Sequence, residues 1–248
     1  LDTKPYFHRR QNTGKVYGGG LAGATPDNPK GEPHRHRALR AGYWAMCDFI
    51  DVQVGRLLDA LERTGQRENT IIIFTSDHGE LLGDHGMYIK GPILYDPALR
   101  VPLIIAGPGI QAGRRIRSLV ELSDLAPTIL ELTGLPLYKG IQTQSLVPLL
   151  HGKTDRIRDD VYCEYTNLNQ PGIMLSMIRT EEWKLVNVHG GKGTDAGELY
   201  NLVEDPNEHW NLWNDPRYQE IKTTLLKRLC DRQMYAAADP LPERVGIY

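Results

Sequence analysis

The chain has 248 residues, 40 % of them hydrophobic, and 29 Lys and Arg stand against 31 Asp and Glu for a net charge of −2. That composition excludes a disordered polymer, which needs low hydrophobicity and high net charge. It also excludes a nucleic-acid binder driven by phosphate contacts, which needs a basic excess. The longest apolar runs, 70–75 and 101–106, are too short to cross a bilayer. Cys47, Cys163 and Cys230 lie far apart with no CxxC spacing, so buried free thiols are expected rather than a disulfide framework or a zinc ribbon. The first residue is Leu1 and no basic-then-apolar leader follows it. The expectation is a chain whose natural N-terminus lies upstream, with its compartment left open.

Residues 1–33 are rich in Gly and Pro and read as a long loop. From about His34 to Thr64, Leu39, Tyr43, Met46, Ile50, Val54, Leu57 and Leu61 recur three or four apart, the stripe of an amphipathic helix that Gly65 stops. Thr70–Thr75 and Val101–Ala106 are β-branched and apolar without alternation, as in strands covered on both faces. Leu119–Leu122 is a third candidate strand. Ser123 or Asp124 can cap a helix carrying Leu125, Ile129 and Leu132 and ending at Gly134, and Ser145–Leu150 reads as a short helix.

The composition changes near residue 155. Strand candidates follow at 161–165, 173–179, 183–188 and 198–202, with Gly190, Gly191 and Gly193 in a hairpin loop. A helix over about 217–238 carries Ile221, Leu225, Leu226 and Leu229. Helices alternating with buried strands predict an α/β layer fold, a mixed β-sheet flanked by helices. The strands then helix at the end predict a small C-terminal antiparallel α+β subdomain. The expected division is 1–155 and 156–248.

The sharpest local feature is Ser76-Asp77-His78-Gly79 after the first strand. Ligands of open α/β sheets collect at the carboxyl ends of strands. A carboxylate and an imidazole there can bind a divalent metal, and Gly79 lets the backbone turn away. A polar turn in which His78 only hydrogen-bonds is the plain alternative. Lys90 follows thirteen residues after Asp77, and Arg100-Val101-Pro102 leads into the next strand.

Together with Glu121-Leu122-Ser123-Asp124-Leu125-Ala126-Pro127-Thr128, Ser145–Leu150, Trp183-Lys184-Leu185, Glu198–Leu202 and Asp205-Pro206-Asn207-Glu208, these residues make the chain resemble the sulfatase family of the alkaline-phosphatase-like superfamily. The resemblance runs from about Ala38 to Leu229. It implies that Asp77 and His78 are the second pair of metal ligands. The implied metal is calcium, with manganese or magnesium open because a His ligand suits calcium less well. It implies that Lys90 is the active-site lysine that contacts the sulfate, where an ammonium stabilises charge developing as the S–O bond breaks. His85, between them, is a candidate to reach the substrate.

The family's formylglycine nucleophile is made in a Cys-x-Pro-x-Arg segment, and none of Cys47, Cys163 or Cys230 lies in one. The early Asp-Asp metal pair is also missing. The expectation is therefore the C-terminal portion of a sulfatase, inactive alone, with formylglycine supplied upstream. Its partners would be a sulfated small molecule or glycan and the missing N-terminal half or an oligomer partner. A phosphonate monoester hydrolase or phosphodiesterase of the same superfamily is the second reading, and a non-catalytic sulfatase-like binding protein the third. His34-Arg35-His36-Arg37 reads as a solvated first turn of helix. Trp183, Trp210 and Trp213 read as packing for a small core.

Overall fold

The computed structural model describes Lys4 and residues 33–166, 174–189 and 197–237. The chain divides into two compact units, 1–110 and 111–248. The stretch 153–160, where the composition changes, lies inside the second.

In the first unit, helix α1 spans Pro33–Arg63. It ends as expected at Gly65, whose φ of +66° puts it in the left-handed region open to glycine, with its amide on the Glu62 carbonyl at 3.0 Å. Strand β1 (Ile72–Thr75) pairs antiparallel with β2 (Leu103–Ala106), Ile72 opposite Ala106 and Thr75 opposite Leu103. Between them lies the short helix α2 (Asp96–Leu99), with Pro97 in its first turn.

Burial in this unit differs from expectation. Phe74 is 37 % and Ile104 61 % exposed, so neither strand is covered on both faces. On α1, Met46, Ile50 and Leu57 of the predicted stripe are more than half exposed. Among the described residues each strand has only the other as neighbour, and an open groove lined by Val54, Leu57, Leu61, Ile71 and Ile73 separates α1 from β1. The buried centre is the connection between the strands: Leu81, Met87, Tyr88, Ile93, Leu94, Tyr95 and Ala98.

In the second unit, residues 119–122 do not form the strand expected there. A 3-10 turn over Leu122–Asp124 opens helix α3 (Leu125–Leu132), and Gly134 (φ +71°) ends it. The reason is chemical. Glu121 and Asp124 form a reciprocal capping box, with the Glu121 amide donating to Asp124 Oδ2 at 2.7 Å. Those bonds take the backbone groups a strand would need. Helix α4 covers Val147–Leu150.

The predicted strands follow with ends shifted by a residue or two: β3 (Val161–Thr166), β4 (Met174–Arg179), β5 (Trp183–His189) and β6 (Gly197–Asn201). They form one antiparallel sheet in chain order. The glycines expected in the β5–β6 connection lie outside the described residues. Helix α5 (Gln219–Ala237) contributes Leu225 and Leu229 to a buried cluster with Ile178, Leu185, Leu199 and Trp213. The register sets Ile178, Leu185 and Leu199 side by side on one face of the sheet. Trp183 packs against this cluster as expected, but Trp210 is 73 % exposed. The cysteines also depart from expectation: all are free, yet Cys47 and Cys230 are exposed on α1 and α5 and Cys163 is half-buried. Each exposed cysteine sits on a helix position outside the buried face, so the helical period, not the residue's apolar character, sets its exposure.

Charged groups are buried here in pairs. Asp124 is fully buried, and Arg158 grips both of its oxygens, Nη2 to Oδ1 at 2.6 Å. Burial opposes the Arg158 charge, but the Asp124 hydrogen bond and the charges of Glu121, Asp124 and Asp160 outweigh it and raise its pKa. From α5, Arg232 reaches Glu121 at 2.5 Å and Arg228 bonds Asp160. On the sheet, Lys184 and Glu208 meet at 2.5 Å, both essentially inaccessible.

Breaking a buried pair from one side strands a charge. The Arg158→Met variant should lose about 3–5 kcal/mol of stability in urea unfolding, because Asp124 is left buried without its cation. The exposed Lys227–Asp231 pair on α5 is the control, and Lys227→Met should leave the urea midpoint unchanged within error.

Candidate active site

The site is built from the end of β1 outward. As the strand finishes, Ser76 Oγ donates to the His78 carbonyl at 2.7 Å and the His78 amide donates to Asp77 Oδ1 at 2.9 Å. That amide bond is the main reason, with the nearby Lys90 charge adding to it, that the Asp77 carboxyl is held below the usual carboxylate range. The Asp77 side chain is 85 % exposed and keeps Oδ2 outward, 3.5 Å from His78 Nε2.

His78 Nδ1 lies 2.9 Å from the Gly79 carbonyl. A carbonyl only accepts, so Nδ1 carries the proton and Nε2 presents a lone pair. Lys90 Nζ points at that lone pair in hydrogen-bond contact. Three residues singled out from sequence, Asp77, His78 and Lys90, are thus brought together. Gly79 is required in this turn: a Cβ built there would fall 1.9 Å from the Pro97 carbonyl oxygen. The Gly79 amide donates to the Ala98 carbonyl at 2.8 Å, so the strand end is seated on α2.

The segment from Glu80 to Lys90 is a tight lobe. The Leu81 amide donates to the Ile89 carbonyl at 3.2 Å and the Gly83 amide to the Met87 carbonyl at 2.8 Å. Leu82, His85 and Ile89 hold φ of +46°, +54° and +71°. For residues with a Cβ this region costs roughly 1–2 kcal/mol each, most for a β-branched residue such as Ile89. Glu80 Oε1 accepts from the amides of both Leu82 (3.1 Å) and Ile89 (2.5 Å). His85 stacks on the buried ring of Tyr95, centroids 3.7 Å apart and planes 9° from parallel.

Sequence reasoning missed two residues. Glu80 gave no signal beyond adjacency to the Asp-His-Gly turn. His36 was expected in a solvated turn; instead its Nδ1 meets the Tyr88 hydroxyl, and its ring occupies the space a Cβ on Gly83 would need. Only the docking of α1 on the lobe gives His36 that place.

Asp77 and His78 offer one oxygen and one nitrogen donor. The His78 Nδ1 bond to a backbone carbonyl is the support a metal-bound imidazole needs, since it fixes the tautomer with the Nε2 lone pair, which here faces Lys90, as the ligating position. The pair therefore fits part of a divalent-metal site. Among the described residues no group of three or more His, Cys, Asp or Glu side chains is placed to hold a metal ion.

Comparison with known proteins bears on the family of the chain. Residues 6–135 match the family model described as sulfatase, and residues 83–235 match that of N-sulphoglucosamine sulphohydrolase, C-terminal. Arylsulfatase K of Bos taurus is 33 % identical over 202 residues, which is 77 % of this chain and 36 % of that protein. Arylsulfatase K of Homo sapiens is 32 % identical over the same shares. Among solved structures, one of a protein in complex with its substrate D-glucosamine-2-N,6-O-disulfate has a TM-score of 0.75 and 28 % identity, covering 95 % of this chain and 47 % of the other. The phosphonate monoester hydrolase of Agrobacterium radiobacter has a TM-score of 0.73 and 31 % identity over 81 % of this chain and 42 % of its own. The chain spans about a third of the length of the curated relatives it matches and about half that of the solved ones. The matched segments take in the whole of the Asp77–Lys90 region with the α/β fold that carries it, and the chain belongs to the sulfatase family.

Proposed function

We propose that this chain is the C-terminal portion of a sulfuric ester hydrolase, with residues 1–155 belonging to the catalytic domain and 156–248 to its antiparallel subdomain. The observation that carries the reading is the Lys90 ammonium set against the His78 imidazole at the carboxyl end of β1, beside an exposed, readily ionised Asp77. In this reading Asp77 Oδ2 and His78 Nε2 hold part of a divalent metal, calcium before manganese or magnesium. Once bound, that ion would polarise the sulfate oxygens. Lys90 supplies a fixed positive charge where negative charge gathers on the bridging and peripheral oxygens as the S–O bond breaks. The Nε2 lone pair that faces Lys90 would pass to the metal and leave the ammonium for the sulfate, while the Ser76 and Gly79 bonds orient His78. His85, held flat on Tyr95, would line the approach for substrate. The nucleophile, formylglycine in this family, and the remaining metal ligands would come from polypeptide outside these 248 residues.

A sulfated sugar is the favoured substrate class, supported by the disulfated glucosamine bound to a structural neighbour. The likeness to a phosphonate monoester hydrolase supports a second reading in which the same charges act on phosphorus. The two centres have similar charge and shape, so Asp77, His78 and Lys90 serve either.

Four outcomes follow for the protein in its full natural length. Hydrolysis of 4-nitrophenyl sulfate should exceed that of 4-nitrophenyl phenylphosphonate; the reverse order selects the second reading, and turnover of neither selects a binding protein. Lys90→Ala should lower kcat by about 10²- to 10³-fold, the range for losing one charge-stabilising donor. EDTA should abolish turnover, with calcium restoring it. Gly79→Ala should destabilise the protein by about 1–3 kcal/mol in thermal melting, because the added Cβ meets backbone that cannot step aside.

A further inference from the structure

We infer that Glu80 is a positioning residue for Lys90, holding the lysine beside the Asp77–His78 pair by fixing both ends of the lobe between them; the inference rests on the role given to Lys90 above. The reasoning starts from the backbone. A chain leaving β1 at His78 must return within twelve residues to set Lys90 on the same imidazole. It does so through Leu82, His85 and Ile89 in left-handed conformations that their side chains disfavour. The Leu81–Ile89 backbone bond closes the lobe, and the Ile89 amide, where a disfavoured φ of +71° has to be held, needs a tie of its own.

Glu80 is that tie. One oxygen, Oε1, accepts from the Leu82 amide at 3.1 Å, where the lobe departs, and from the Ile89 amide at 2.5 Å, where it returns. Ile89 immediately precedes Lys90, so its orientation fixes the direction in which the lysine stem leaves. A carboxylate is suited to this place because it accepts several bonds and donates none. Bonds from amides to an ionised acceptor are about twice as strong as neutral ones. The rest of the lobe is braced separately: the Leu81 amide on the Ile89 carbonyl, His36 on Tyr88, and the His85–Tyr95 stack. None of these touches the Ile89 amide. Loss of Glu80 would therefore leave the lobe folded on the Leu81–Ile89 backbone bond but free the Tyr88–Ile89 peptide, letting Ile89 leave its left-handed φ and shift Lys90 away from the Asp77–His78 pair. Glu80 acts through Lys90 and does not itself touch substrate.

The test combines amide exchange with a double-mutant cycle in the protein at its full natural length. In Glu80→Ala the Ile89 amide should exchange at least tenfold faster than in the parent, while the amides of β3–β6 exchange as before. With 4-nitrophenyl sulfate, Glu80→Ala should lower kcat about tenfold and leave KM within about twofold. Glu80→Gln, which keeps an acceptor oxygen in the same place, should restore most of kcat. Glu80→Asp is one methylene too short to span both amides and should behave like Glu80→Ala, so it serves if that variant does not fold. The decisive comparison is Lys90→Ala with and without Glu80→Ala: the double variant should be no slower than Lys90→Ala alone. Multiplied losses in the double variant, or an unchanged Ile89 exchange rate in both Glu80→Ala and Glu80→Asp, overturn the clamp. If Lys90→Ala alone turns over like the parent, the catalytic role of Lys90 falls, and the exchange rates still decide whether Glu80 holds the lobe.

Discussion

The contact between the Lys90 ammonium and the His78 imidazole sets the terms for the first unit. His78 stands at the end of a strand and Lys90 twelve residues on, so the intervening chain must fold back on itself. That requirement accounts for the three disfavoured left-handed residues, the glycine at 79 with no room for a Cβ, and the carboxylate of Glu80 between two amides. It also accounts for where burial concentrates. Leu81, Met87, Tyr88 and Tyr95 form the buried centre of the unit, while Phe74 and Ile104 on the strands stay exposed. The backbone strain lies in the segment that delivers the charge, as is common where a side chain has to be aimed.

The second unit solves a different problem, that of burying charge inside a small sheet-and-helix body. Asp124 closes the turn that starts α3 and is gripped by Arg158, while Glu121 and Asp160 receive arginines from α5. The pairs therefore join segments far apart in sequence. Buried ion pairs add little net stability compared with apolar packing, but they penalise any arrangement that separates them. Here they fix how the turn before α3, the segment before β3 and the last helix meet. Lys184 and Glu208 do the same for β5 and the turn after β6.

Much of this was legible in the sequence because it is governed by local period and local chemistry. The helix stop at Gly65, the four strands of the second sheet and the closing helix follow from the spacing of apolar residues and breakers. The Asp-His-Gly turn and the distant lysine stood out as candidates because few residue types can ligate a metal or hold a positive charge, and the structure brings their side chains together. Leu119–Leu122 misled because its three apolar residues outweighed Glu121 among them, and only the folded turn shows that carboxylate and Asp124 closing a reciprocal cap. Cys47 and Cys230 misled because burial depends on which face of a helix meets a partner.

By itself the sequence determined the family and the order and kind of most elements, and it singled out Asp77, His78 and Lys90 as candidates. These depend on residue type and short-range spacing, which a linear reading retains. The tertiary structure decided which residues serve those three. It put His36 on Tyr88, laid His85 on Tyr95, set Glu80 beneath two amides and paired Arg158 with Asp124. Each of these contacts depends on the direction of a backbone group or the path of a loop. Such directions arise only when the chain closes on itself, so no single stretch of sequence contains them.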